Sequence, residues 1–528
     1  MRIPFNVSSI VLCCFCVVLI FSCSKDAQIF DEIISEEVDE NGNTDPDDNV
    51  DPDVVVDNTT SGDLKAFPTA EGAGALTKGG RGGKILHVTR LDDARDANGD
   101  PVEGTFRWAL FQPFARIVVF DVSGTIRLTE GLNLRYEKHS FLTIAGQTAP
   151  EGGITIETPE FNIVKMEHVI VRYIRVVNNG YFLEGGPFNR PAANFSGIRN
   201  LIVDHCSFRY SWNSVALAVT DENYPQGQNN ITVQKSIFAD CKTGILVGAA
   251  VTPTRIDNAG KNTIHHNLFN NISHRFPNVS GNGQFDIINN VAYNYYWRLS
   301  SYYNNSETNL INNYYKAGPS SLGIITSAGD GPVMKIGDNV TNMPNNPKIY
   351  SAGNVIEDPG NALTASDNRW SRFFALFSNG TIDAEEAKYR SQTKFEDLGV
   401  AVQTQSAYDG MLTVLADVGA NAFLNENGTS GSFLDSVDEK YISDVQNDDC
   451  TSCKANNSYP NLGDKTQLRY PVLPENVRAT NFDTDRDGMP DSWEIAMGLD
   501  PNVADDKNDK DGDGYTNIEE YLNLVDLN

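Results

Sequence analysis

The chemistry-bearing residues of this chain are densest at its C-terminus, where the pattern D-x-D-x-D-G, closed by Glu after five further residues, occurs twice. The first copy consists of Asp483, Asp485, Asp487, Gly488, Asp491 and Glu494, and the second of Asp509, Asp511, Asp513, Gly514, Asn517 and Glu520. A hard cation such as Ca²⁺ needs six to eight oxygens at short range. This spacing winds alternate side chains inward, with Gly at the sharp turn and Glu closing bidentately. The carbonyls of Met489 and Tyr515 would fill the backbone position. An acidic solvated tail is the competing reading. Any helix between the loops would be very short, so the expectation is a small structural module held by Ca²⁺, without a sensor switch.

Cysteine offers less chemistry. Four cysteines lie near the N-terminus, leaving Cys206, Cys241, Cys450 and Cys453. The Cys450-Thr451-Ser452-Cys453 pair suggests either half a zinc site, for which a second pair at metal spacing is absent, or a small local disulfide. Cys206 and Cys241 read as buried wall residues, with their mutual pairing left open.

The elements that must position any site follow from a repeat. A polar turn followed by a short β-branched strand recurs at 168–171, 200–203, 230–233, 262–264, 285–288 and 309–311, about 23 to 33 residues apart, the range of solenoid coils with variable loops. A second column follows at 206–208, 236–238, 267–269, 290–292, 313–315 and 354–356. Asn tolerates the left-handed backbone of tight turns, and stacked Asn side chains can bond from coil to coil. The pattern predicts an all-β chain wound as a single-stranded parallel β-helix. The competing antiparallel sandwich lacks its hairpin Asn-Gly and Asp-Gly turns.

The sequence divides into 1–22, an export signal; 23–64, an acidic flexible tether; 65–360, the β-helix; 361–475, an irregular flank packed on it; and 476–528, the calcium-loop module. Residues 10–21 are almost wholly apolar and too short to span a membrane as a helix. The stretch Leu19-Ile20-Phe21-Ser22-Cys23 is similar to a bacterial lipobox, in which Cys23 is acylated and becomes the lipid anchor; an ordinary secretory signal is the alternative. The tether has too few large apolar groups to offset the entropy of ordering. A net charge of −29 argues against a nucleic-acid partner, and the chain is expected to be a monomer at the outer membrane or cell surface, or secreted.

Several blocks resemble the opening of bacterial pectate lyases of polysaccharide lyase family 1: Ala66-Phe67-Pro68-Thr69-Ala70-Glu71-Gly72, Gly79-Gly80-Arg81-Gly82-Gly83-Lys84, Gly104-Thr105-Phe106-Arg107-Trp108, Val119-Phe120-Asp121-Val122-Ser123-Gly124-Thr125-Ile126 and Ala145-Gly146-Gln147-Thr148-Ala149-Pro150. Val203-Asp204-His205-Cys206-Ser207-Phe208 is similar to the family's I-D-H-x-S-F strand, and 482–522 to the calcium tail of many such Bacteroidetes-type lipoproteins. The resemblance covers about 66–528 and implies a right-handed pectin lyase-like β-helix. It further implies an acidic polysaccharide substrate, pectate or a related uronate polymer, cleaved by β-elimination.

Such an elimination needs cations at the uronate carboxylate and a proton acceptor near C5. The resemblance implies that Arg275, in His274-Arg275-Phe276-Pro277, is the acceptor and that Lys242, in Cys241-Lys242-Thr243-Gly244, holds a substrate carboxylate. Free guanidinium is protonated at any ordinary pH, so Arg275 would need a strongly cationic, desolvated setting or would act electrostatically; His274 is the substitute base, or else a surface turn residue. The family's second arginine falls at Ser280, and its cleft calcium carboxylates fall at Ser214, Ala218 and within 178–180, which leaves Asp221 and Glu222 as nearby replacements. A non-catalytic, surface-displayed glycan-binding protein on a lyase scaffold is therefore the alternative. Tyr293, Tyr295, Tyr296, Trp297, Tyr302 and Tyr303 are its candidate sugar platforms, or packing residues. The Asp pairs of a hydrolase are not evident.

Overall fold

Alternation of β-branched and polar residues gives each short strand one inward and one outward face, and in the computed structural model these strands stack coil upon coil. The structure describes residues 64–179, 190–217, 228–248, 258–295, 299–319, 321, 334–337, 346–358, 370–376, 382–450 and 471–527, with the backbone of 251–252 and 255–256. All of them belong to one unit, Val50–Asn528. Cys23, Ala218, Asp221, Glu222, Tyr296, Trp297 and Cys453 lie outside the described residues.

Three large sheets of ten, nine and nine strands run the length of the coil, with successive coils pairing in parallel. One coil runs through Glu167–Arg172 in the first sheet, Ile174–Asn178 in the second and Ala193–Asn194 in the third, and returns to the first at Arg199–Asp204. The chain is a parallel β-helix, and its sheets are consistent with the right-handed, pectin lyase-like form, the hand that parallel crossovers almost always take.

The turn from the first sheet to the second explains the asparagines. At 173, 205, 235, 266, 289 and 312 one residue takes a left-handed backbone, with φ between 47° and 55°. The residue after it points its side chain along the stack. Asn267 Nδ2 donates to Asn290 Oδ1 at 3.0 Å, Asn290 to Asn313 at 3.0 Å and Asn313 to Asn354 at 2.9 Å. Each of these amides therefore satisfies a neighbour in a turn that would otherwise bury unpaired polar groups. Cys206 holds the equivalent place in its own coil, is buried and is free, as is Cys241.

Inside the coil the apolar residues form one continuous core, with Phe208, Phe238 and Phe269 stacked at centroid separations of 5.5 and 5.0 Å. The short helix Phe106–Leu110, capped by Thr105, buries Phe106, Ala109 and Leu110 in this same core. Outside, the helices Ala407–Ala416 and Ser436–Asn447 pack on the second sheet through Val414, Val437 and Tyr441 against Ile237, Leu268 and Val291. The helices Asp491–Met497 and Asn517–Asn523 place Trp493, Ile518 and Tyr521 on Ile117 and Val119 of the first sheet. Residues 66–75 lie on the next strands of that sheet, so close that a Cβ on Gly74 would sit 2.1 Å from the Leu201 carbonyl.

Candidate active site

Lys242 and Arg275 stand on neighbouring coils at the turn that leads into the third sheet. The Gly244 amide donates to the His274 carbonyl at 2.8 Å, and the Ile245 amide to the Arg275 carbonyl at 2.9 Å. The strand spacing therefore separates the two backbones by only about 4.8 Å. Arg275 itself takes φ 76°, uncommon for a residue with a Cβ. The coils on both sides hold it there, because its amide donates to the Leu299 carbonyl at 3.0 Å.

The guanidinium is largely covered. Arg275 is 5% exposed, and its Nη1 donates to Asn213 Oδ1 at 2.6 Å. The same oxygen accepts from the Thr243 hydroxyl at 2.5 Å, so Asn213 is fixed from two sides. Lys242 is half-buried, with Nζ 3.1 Å from the centroid of the Trp212 ring, whose π face favours the ammonium charge. The arrangement places two cationic residues on adjacent coils and has a neutral amide to orient one of them.

Other expected positions fall differently. The His274 ring is 2% exposed, with Nδ1 2.5 Å from the Ser273 hydroxyl, so it is a buried turn residue and not an exposed one. Ser214 is fully buried and donates to the Thr243 carbonyl, Asn178 donates to the Pro191 carbonyl, and Ser280 is buried. Among the described residues, every cluster of three or more acidic, His or Cys ligands lies at the C-terminus and none at this turn. The donor set described here therefore does not fit a cleft calcium. Tyr293, Tyr295 and Tyr302 are at most 1% exposed and serve as packing, the second of their two readings. Tyr296 and Trp297 fall outside the described residues. Trp212 and Asn213 went unread in the sequence as partners of the two cations, because nothing in the local pattern marks the third-sheet strand Asn213–Leu217 that they open.

Asp204 and His205 belong to a structural network elsewhere, on the first sheet. Asp204 meets Arg172 at 2.8 Å, which in turn meets Asp526 at 2.7 Å. His205 stacks on Tyr173 and lies 3.1 Å from Asp417, which also pairs with Lys235. Burial opposes charge on His205, but the Asp204 and Asp417 carboxylates outweigh it and raise its pKa. Burial likewise opposes charge on Asp417, yet His205 and Lys235 hold it well below the ordinary carboxylate range.

The two C-terminal loops have matching internal bonds. Asp483 accepts from the Gly488 amide at 2.8 Å and Asp509 from the Gly514 amide at 2.9 Å; Asp487 accepts from Met489 and Asp513 from Tyr515. Asp483, Asp485 and Asp487 offer oxygens within 4.8 Å of one another, as do Asp509, Asp511 and Asp513, and Asp487, Glu494 and Asp505. Asp491 and Asn517 both turn back instead, accepting from the amides of Thr484 and Lys510. Burial, then repulsion by Asp487, Asp485 and Asp483, pushes Glu494 up to about 8. Burial and then Asp513 and Asp511 push Glu520 up to about 7. Crowded carboxylates of this kind suit a cation, and these acidic clusters can coordinate a metal such as Ca²⁺. Cys450 is disulfide-bonded, which excludes the zinc reading for it. Among the described residues no helix is long and apolar enough to cross a membrane.

Comparison with known proteins agrees with this picture. A family model described as "Pectate lyase" matches residues 143–367. The chain is 29% identical over 472 residues to the "Probable pectate lyase C" of Aspergillus flavus, covering 88% of this chain and 94% of that one. It is 29% identical over 469 residues to the protein of the same description from Emericella nidulans, covering 88% and 93%. A shorter match, 23% identical over 240 residues, joins 42% of this chain to 49% of a "Pectate lyase" of Bacillus subtilis. Among solved structures, the cedar pollen allergen Jun a 1 aligns over 66% of this chain and 92% of its own, at 17% identity and a TM-score of 0.46.

Proposed function

We propose that this protein is a polysaccharide lyase that cleaves pectate or a related uronate polymer by β-elimination, with Lys242 and Arg275 as its working residues. The observation that carries the assignment of residues is the placement of these two cations on adjacent coils, each held by a neutral partner, Trp212 and Asn213. A uronate carboxylate bound by Lys242 is held in place, and charge that develops on it as the C5 proton leaves is stabilised by the nearby guanidinium. The C4–O bond then breaks, a C4–C5 double bond forms, and the glycosidic oxygen departs with the leaving chain. The C5 proton goes to Arg275 if its surroundings deprotonate the guanidine; otherwise Arg275 acts as an electrostatic stabiliser and solvent water takes the proton, and in either case the departing oxygen is protonated from water. No step is assigned to a cleft metal.

In this reading the C-terminal loops bind Ca²⁺ through Asp483, Asp485, Asp487 and Glu494 and through Asp509, Asp511, Asp513 and Glu520. The first 22 residues direct export, and Cys23 carries a lipid anchor at the outer membrane. A second reading, a non-catalytic glycan-binding protein, is favoured by one observation: Ser214 and Ser280 stand buried where the family has a carboxylate and an arginine.

The test is ultraviolet detection of unsaturated uronate ends from polygalacturonate and pectin, with Lys242→Ala and Arg275→Ala beside the native protein. Product that disappears in both variants supports the lyase and its site. Polymer binding without any product would transfer the case to the second reading.

A further inference from the structure

We infer that Asp505, which lies between the two acidic loops, is a ligand of the first loop's cation and couples the loading of that site to the second loop. The inference rests on the reading of the loops as calcium sites.

The first loop leaves an acid that its own motif does not accommodate. Glu494 is 0% exposed, and neither of its carboxylate oxygens has a hydrogen-bond partner. A fully buried carboxylate without donors is strongly disfavoured unless a positive charge faces it. Glu494 faces Asp487 and Asp505, the ligand atoms of all three lying within 4.8 Å of one another. Asp487 also belongs to the cluster with Asp483 and Asp485, so the two groups share a corner.

Asp505 supplies what the motif's ninth position gives up. Both Asp491 oxygens are turned back to Thr484, accepting from its amide at 2.7 Å and its hydroxyl at 2.6 Å. Single oxygens from Asp483, Asp485, Asp487 and Asp505, the Met489 carbonyl and a bidentate Glu494 together amount to about seven ligands, within the calcium range. Asp505 is also anchored to the first loop by its amide, which donates to Asp487 Oδ2 at 3.1 Å.

The second loop reaches the same residue. Asn517 Nδ2 donates to the Asp505 carbonyl at 3.0 Å and to Asp505 Oδ1 at 3.1 Å, while Asn517 Oδ1 accepts from the Lys510 amide at 3.2 Å. Lys510 is the second residue of the second loop. Ordering that loop around an ion therefore fixes Asn517, which in turn fixes a ligand of the first site. Asp487 and Glu494 of the first site are buried and Asp483, Asp485 and Asp505 half-buried, whereas Asp509, Asp511 and Asp513 are all exposed, so the second loop is the one more open to solvent.

The experiment is calcium titration of the full-length chain by calorimetry, comparing native protein with Asp505→Ala, Glu520→Gln and the double variant. The native chain should bind two ions. Asp505→Ala should weaken one of them at least tenfold; Glu520→Gln should weaken the remaining site in the native background but not in Asp505→Ala. The melting midpoint in chelator separates ligation from folding: Asp505→Ala removes one of several repelling acids and should melt no lower than the native apo chain. A native chain that binds no Ca²⁺ would overturn the calcium reading of the loops. Two native-affinity ions in Asp505→Ala, or equal effects of Glu520→Gln in both backgrounds, would overturn the role of Asp505 alone. An Asp505→Ala apo chain that melts well below native would reassign Asp505 to folding and likewise overturn its role as a ligand.

Discussion

Replacing Asp435 by Ala should release the helix Ser436–Asn447 from the second sheet. Its carboxylate lies 3.1 Å from Arg175 Nε and 2.8 Å from Arg209 Nη2, and Asp438 lies 2.6 Å from Arg209, with all four side chains at most 1% exposed. Two buried guanidiniums thus share two carboxylates. Burial opposes charge on Asp435, but the arginines hold its pKa down at about 2. Removal leaves one acid facing two cations, a loss of about 3–5 kcal/mol for a broken buried pair. Asp435 Oδ1 also caps the helix by accepting from the amides of Val437 and Asp438, worth about 1 kcal/mol. The total of about 4–6 kcal/mol corresponds to roughly three to four decades in local opening. Hydrogen–deuterium exchange of 436–447 should read this as acceleration by at least about a thousandfold. Asp435→Asn keeps a capping oxygen and should fall short of Ala by about the cap alone. Exchange in Asp435→Ala within about threefold of native would refute the reasoning.

Three further outcomes follow from the same structure. Phe238→Ala removes the middle ring of the Phe208, Phe238 and Phe269 stack, and denaturant unfolding should show a loss of about 3–5 kcal/mol; a loss under about 1 kcal/mol would mean the interior refills the cavity. His205, raised by Asp204 and Asp417 against the effect of burial, contributes stability fully below its unfolded value of about 6.5 and loses it as pH rises through the folded value. Asp417, held low, contributes above about pH 4. The melting gap between native and His205→Gln should therefore be widest between about pH 4 and 6.5 and shrink in alkali; a gap that grows in alkali would reverse the argument. Chelation should lower the melting midpoint, by the equivalent of about 2.7 kcal/mol for each of the two ions, about 5.4 kcal/mol in all, relative to calcium at a hundredfold excess over Kd. It should also speed exchange at 483–525; a midpoint indifferent to chelator would contradict a structural role for the ions.

Much of the coil was legible because its first two sheets obey a strict local grammar. The strands read at 200–203 and 230–233 are Arg199–Asp204 and Asn229–Gln234 in the structure, and the Asn that opens each second-sheet segment forms the ladder from Asn267 to Asn354. The third sheet was not legible. Strands as short as Ala193–Asn194 and Asn278–Val279, separated by loops of unequal length, carry no period to detect. The coil also continues to Phe374–Leu376, past the boundary drawn at 360.

The candidate site was legible in part. Lys242 and Arg275 were expected through resemblance, and their placement on adjacent coils depends on coil-to-coil register that spacing alone does not give. The tyrosines were undecided in the sequence because aromatic residues in a solenoid serve interior packing as well as sugar stacking, and only the direction of the side chain separates the two. Asp505 lies outside the spacing of either loop and joins the first only through the tertiary fold.

The measurement that tests the account most directly is mass and ultraviolet analysis of the products released from polygalacturonate by the native protein, Lys242→Ala and Arg275→Ala. Elimination predicts, from the native protein alone, fragments that absorb in the ultraviolet and are lighter by one water than hydrolytic fragments of the same length. Saturated fragments alone, or unsaturated product undiminished in both variants, would contradict it.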